Sequence, residues 1–145
     1  MRVYQREFKA SLSDVGAMLV WIESHLPCKG QSIDNIGLAF CECAHNIIEH
    51  HIMRIDKLHL YTLPKSRPLP CSLGLSKGIT CKMIIKATHI IVTLSFPFKP
   101  CYKYAKNTAF VPLGGRGKAL IKACGGAFRL RVSPPRGILS LRCKI

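Results

Sequence analysis

The chain is short of three things, and each shortage narrows what it can be. No apolar run approaches the roughly 20 residues that a helix needs to cross a bilayer. The opening MRVYQREFK also lacks the apolar core of a secretory signal, so a cytoplasmic protein acting away from membranes is expected. The eight cysteines include no C-x-x-C pair, which argues against zinc ribbons and dithiol redox motifs. Cys41, Cys43 and His45 are neighbours in sequence, but residues two apart on a helix diverge and cannot meet at one ion. His45 and Glu49 stand one turn apart, yet two ligands make a weak metal site. Reduced, packed thiols are expected.

The third shortage is of acid. There are 22 Lys and Arg against 7 Asp and Glu, and all seven acids fall at or before Asp56. Average composition would place roughly eleven more in the remainder. The first 56 residues carry 5 basic side chains and the rest carry 17 with no acid to offset them. Such a charge balance suits an anionic partner: a nucleotide, an acidic protein or a nucleic acid.

What is present reads as one domain spanning residues 1–145, long enough to bury a core. Arg2 to Ala10 alternates as a strand, and SLSDVGAMLVWIESHL follows as a helix capped by Ser11 or Ser13. Its apolar stripe is Val15, Met18, Leu19, Ile22 and Leu26. Trp21 lies off that stripe, at the edge of the core or at a protein interface. Lys57 to Leu63 alternates as a second strand, and a Pro-rich loop runs from Pro64 to Gly78. Ile79 to Lys86 and Ile90 to Leu94 form an antiparallel hairpin. A loop from Phe96 to Pro112 leads to a glycine-led helix using Leu120, Ile121 and Cys124. Ala127 to Val132 and Ile138 to Cys143 close the chain as a last hairpin. This order implies a two-layer α/β sandwich, a mixed and mostly antiparallel sheet with helices on one face.

The most informative stretch is Ile33 to His51, with Ser32 placed to cap it. Ile36, Ala39, Cys43 and Ile47 recur at helical spacing. Beside that stripe, Asn46 lies roughly 40° from Glu42, Glu49 roughly 20° the other way and His50 roughly 80°. Glu42, Asn46 and Glu49 thus share one ridge. A carboxylate and a carboxamide one turn apart can hold a hard cation such as Mg²⁺ against a phosphate. The plain alternative is a solvated helix face. Downstream, Gly114-Gly-Arg-Gly117 precedes the last helix, where glycine lets amides approach phosphate oxygens and the helix N-terminus adds its positive end. A tight loop entering a helix would use the same residues.

Glu42-Cys-Ala-His-Asn46-Ile-Ile-Glu49-His50 resembles the N box of the GHKL ATPase superfamily, the Bergerat or histidine-kinase-like fold. Within it the pattern is similar to that of the anti-sigma-factor serine/threonine-protein kinases. Gly114-Gly-Arg-Gly117, followed after Lys118 by Ala-Leu-Ile, resembles the same kinases' GGRG segment after the lid. The resemblance implies an anti-sigma factor that binds a sigma factor and, using ATP and Mg²⁺, phosphorylates an anti-anti-sigma (STAS-type) protein. It implies Glu42 as general base, Asn46 as the Mg²⁺ ligand, and Gly114, Gly115, Arg116 and Gly117 along the phosphate chain. It also implies a homodimer, for which the first strand and helix are the expected contact.

One family motif is missing. Where the kinases carry Asp-x-Gly-x-x-Phe-Asp-Pro, this chain has Thr93-Leu-Ser-Phe-Pro-Phe-Lys99-Pro100. Thr93 replaces the Asp that meets the adenine amino group, and it can offer one neutral hydrogen bond. The loss could cost about 1.5–3 kcal/mol, roughly ten- to a hundredfold in affinity. A catalytically degenerate, partner-binding member of the same fold is therefore a second expectation. A third is a basic nucleic-acid-binding module, with Tyr102 and Tyr104 among Lys99, Lys103 and Lys106. No recognised nucleic-acid motif supports it. A sensor histidine kinase is disfavoured because there is no phospho-acceptor helix pair.

Overall fold

Alternation of apolar and polar residues decides the sheet. In the computed structural model, which describes residues 1–27, 29–52, 78–98 and 115–145, five strands pair in the order β1-β2-β3-β5-β4. They are β1 (Arg2–Phe8), β2 (Ile79–Ile85), β3 (His89–Pro97), β4 (Gly126–Ser133) and β5 (Arg136–Lys144). Every pairing among the described residues is antiparallel. The sheet is therefore more uniform than the mixed arrangement expected, and the expected strand at Lys57 to Leu63 lies outside the described residues.

On one face Ile79, Cys81, Met83, Ile90, Val92, Leu94, Leu139 and Leu141 are all buried. Each such aliphatic side chain, removed from water, contributes about 1.5–3 kcal/mol. Three helices cover this face. Helix α1 (Asp14–Glu23) buries Val15, Met18 and Ile22. Helix α2 (Gln31–Asn46) buries Ile36, Ala39, Phe40, Cys43 and Ala44. Helix α3 (Gly115–Ala123) buries Ile121 and packs against both α2 and β4. The side chains from helices and strands form one continuous core. This is an α/β arrangement of two layers, with helices on one side of the sheet.

Two local expectations need correction. The residue before the first turn of α2 is Gly30, with φ of 65°, so Ser32 lies inside the helix and makes no cap. Gly30 turns the chain into the helix through its positive φ, and no side chain caps the first-turn amides. Ser13 precedes α1 without capping it, and its hydroxyl meets that of Ser11 at 3.0 Å instead.

Trp21 is half-buried at the corner between β1 and α1. Its ring meets Phe8 edge-on at 5.8 Å and His25 at 5.3 Å, and His25 in turn meets Tyr4 at 4.2 Å. Aromatic contacts of this geometry add about 0.5–1.5 kcal/mol beyond burial. They fix the edge strand to the helix layer, so Trp21 is an edge-of-core residue.

Candidate functional site

Helix α2 runs straight to Asn46 and then widens into a π-helical segment, Ile47–Ile52. The Asn46 side chain, 3% exposed, sits at that change of pitch. Its Nδ2 donates to the main-chain oxygen of Glu42 at 2.6 Å and to the Glu42 Oε1 at 2.7 Å. A side chain that claims a main-chain carbonyl is one identifiable cause of helix distortion. Single π turns inside α-helices recur at functional sites. Because the amide nitrogen is committed to Glu42, the Asn46 oxygen is the atom left to face a cation.

Glu42, half-buried, leans from α2 onto the first turn of α3. A Cβ built on Gly117 would run into the Glu42 Oε1, and would stand 3.1 Å from its Cδ and 3.2 Å from its Cγ. A side chain at this position would make the Glu42 carboxylate shift from where it lies. The first-turn amides of a helix lack intrahelical partners, and the positive end of the helix dipole favours a negative group beside them. The same properties suit a phosphate. Gly115, Arg116 and Gly117 form this turn, while Gly114 lies outside the described residues. The structure thus brings Glu42, Asn46 and the Gly115–Gly117 turn to one place.

Thr93 is not part of that place. Its neighbours Val92 and Leu94 are each 1% exposed on the helix-covered face, so Thr93 points to the opposite face of the sheet. There its hydroxyl lies 3.5 Å from that of Ser140 on β5. The expected substitute for an adenine-binding Asp is separated from Glu42 by the thickness of the sheet. Glu49 and His50 fall within the π-helical segment, where the α-helical angles that set them on the Glu42 ridge no longer apply.

Sequence reasoning passed over His51. It is 6% exposed, with ring centroids 5.6 Å from Phe96 and 5.9 Å from Phe98. Burial, with a smaller contribution from His50, lowers its pKa to about 4, so the imidazole is neutral at ordinary pH. The signal was available: His51 follows Ile47 by four residues and continues the apolar stripe.

The thiols behave as core residues. Cys41, Cys43, Cys81, Cys124 and Cys143 are all free. Burial, reinforced by Cys143 and Glu42, pushes Cys43 up to about 12, and burial alone does the same for Cys81. Such thiols are poor nucleophiles. Among the described residues, no group of three or more His, Cys, Asp or Glu can hold a metal ion, and no helix is long and apolar enough to cross a membrane.

No family model matches the chain, and no curated protein matches it.

Proposed function

We propose that the chain is an ATP-dependent protein serine/threonine kinase of GHKL type. In this reading it acts as an anti-sigma factor that binds a sigma factor and phosphorylates an anti-anti-sigma protein of the STAS type. The observation that carries the reading is the contact between the Glu42 carboxylate, tied to Asn46, and the glycine turn of α3. Contact between Glu42 and Gly117, about 70 residues apart in sequence, supports this reading.

The residues fit Mg²⁺ and a nucleotide in kind. Asn46 has an amide oxygen of the class that Mg²⁺ accepts, and Gly117 in the α3 turn puts no Cβ beside its amide. Bound Mg²⁺ would neutralise charge on the β- and γ-phosphates. Glu42 would accept the proton of the substrate serine as its Oγ forms the new bond to the γ-phosphorus and the bond to the β-phosphate oxygen breaks. Positioning and charge neutralisation supply most of what phosphoryl transfer needs. The amides of the α3 turn would hold the phosphate chain in line.

The test is calorimetric titration with MgATP, followed by incubation of protein, MgATP and a STAS-type partner. Micromolar binding and serine phosphate on the partner are expected. No serine phosphate at millimolar ATP overturns the proposal.

A second reading keeps the fold and the partner but drops the chemistry. It is favoured by one observation, the position of Thr93 on the far side of the sheet. Sigma-factor binding that is unchanged by MgATP would select this reading over the first. Dimerisation through β1 and α1 fits either, since β1 is an edge strand among the described residues and Val20 on α1 is 66% exposed.

A further inference from the structure

The face of the sheet opposite the helices is a second surface with its own chemistry. No described element covers it. Register places the side chains in rows: Val3, Ile84, Ile91, Arg142 and Ala127 in one, then Gln5, Lys82, Thr93, Ser140 and Arg129 in the next. Glu7, Thr80, Ser95, Ile138 and Arg131 form a third. Arg136 and Lys144 extend the same face of β5 at its two ends, and all these cations are exposed. Glu7 is the one acid among them. The arginines crowd β4 and β5, while the isoleucines run through the middle, with Ile138 40% exposed.

We propose that this face docks an acidic amphipathic helix of a partner protein. The dimensions agree. Strand β3 has nine residues, about 26 Å at 3.3 Å per step, which matches a helix of about 17 residues. Arg129 and Arg131, two apart on β4, stand about 6.6 Å from each other. Acidic residues one turn apart on a helix are separated by about 6 Å. Carboxylates at that spacing can each take a guanidinium fork, the geometry for which arginine is suited and lysine is not. Apolar side chains between them would cover Ile91 and Ile138. Two open depressions give larger side chains a seat. One, of about 660 Å³, is lined by Thr88, His89, Arg142 and Lys144. The other, of about 350 Å³, is lined by Glu7, Thr80, Ser95, Pro97 and Arg136, so it suits an apolar side chain better than an acidic one.

Other occupants fit less well. A second copy of the chain would set arginines against arginines. Single-stranded nucleic acid is held by stacking on aromatic rings, and the described positions of this face carry no Phe, Tyr or Trp and one His at its end, His89. A duplex offers phosphates but no apolar surface to cover the isoleucines. The inference does not rest on the kinase reading, because Glu42, Asn46 and Gly117 lie on the other side of the sheet.

The test is selection of binders from a random 20-residue peptide display library against the whole protein. Selected peptides are expected to be acidic, with Leu or Ile at three- and four-residue spacing. Their affinity should fall at least about tenfold for Arg129→Glu combined with Arg131→Glu, and about threefold or more for Ile138→Ser. All three substitutions are at exposed positions and leave the core intact. Peptides that bind the double variant as well as the parent overturn the proposal. So does a 20-base-pair DNA duplex that binds more tightly than the peptides at 0.15 M salt and is lost in the same variant, since that assigns the face to nucleic acid.

Discussion

The two faces of this sheet come from the same strands and share almost nothing. In β3, Ile90, Val92, Leu94 and Phe96 are buried beneath the helices, while the alternating His89, Ile91, Thr93, Ser95 and Pro97 are only half-buried. In β5, Leu139, Leu141 and Cys143 alternate with Ile138, Ser140 and Arg142 in the same way. A strand writes two surfaces in one line of sequence, and a shift of one residue exchanges them. The helix-covered side holds the core and, at its rim, the Glu42 site. The open side holds the concentrated positive charge. Any residue assigned a role must first be assigned a face.

The sharpest way to break this division is at Glu42. Replacing it by Gln keeps shape and the bond from Asn46 while removing the base. General-base catalysis contributes about 10²–10⁴-fold, so phosphate transfer to a STAS-type partner should fall by that factor with MgATP affinity changed less than about threefold. A radiolabelled-phosphate assay beside calorimetry measures both. Equal loss in binding and turnover would mean that Glu42 holds structure instead.

Stability should divide the same way. Leu94→Ala empties a site 1% exposed in the core and should cost about 2–5 kcal/mol. Arg131→Ala, on the open side, should change stability by no more than about 0.5 kcal/mol. Urea denaturation followed by circular dichroism compares the two directly. A similar cost at both positions would show that the open face is covered.

His51 adds a pH dependence to the covered side. Its pKa is about 4 in the folded protein and near 6.5 when unfolded. The unfolded chain therefore binds more protons between those values, and folding weakens as pH drops through them. About 3 kcal/mol should be lost between pH 7 and pH 4 from this group. His51→Phe should flatten that slope in urea titrations at pH 7, 5.5 and 4, while other acid-sensitive groups leave a remainder.

Gly117→Ala is a smaller perturbation aimed at the contact itself. The new methyl would meet the Glu42 carboxylate and push on the oxygen that accepts from Asn46. A loss of about 1 kcal/mol is expected. Recovery of that loss in the Gly117→Ala, Glu42→Ala double variant would tie it to the clash.

Much of this architecture was legible beforehand, for reasons that can be named. The hairpin β2–β3 announces itself through two runs rich in β-branched residues, Ile79 to Ile85 and Ile90 to Thr93, and α2 through Ile36, Ala39, Cys43 and Ile47. The ridge of Glu42 and Asn46 followed from helical geometry, and it holds as far as the α-helix does. The π-helical change after Asn46 was not legible, because apolar periodicity does not distinguish an α turn from a π turn. The cap of α2 was misplaced because a hydroxyl was preferred to a glycine two residues earlier. The position of Thr93 was legible and was overridden: Val92, Leu94 and Phe96 already claim one face, so Thr93 must take the other. Aligning it with a family motif set that alternation aside.

Thr93→Asp puts this last point to the test. If Thr93 stood where the kinases' Asp stands, restoring the carboxylate would return a charge-assisted bond to the adenine amino group. Affinity for MgATP would then rise about ten- to a hundredfold. The hydroxyl instead lies beside Ser140 on the face that carries Lys82 and Arg129 in the same row. A carboxylate there meets cations and no nucleotide. MgATP affinity should change by less than about twofold, and binding of acidic peptides to the open face should weaken because a like charge enters their path. A tenfold gain in MgATP affinity would instead mean that the nucleotide reaches the side of the sheet on which Thr93 lies.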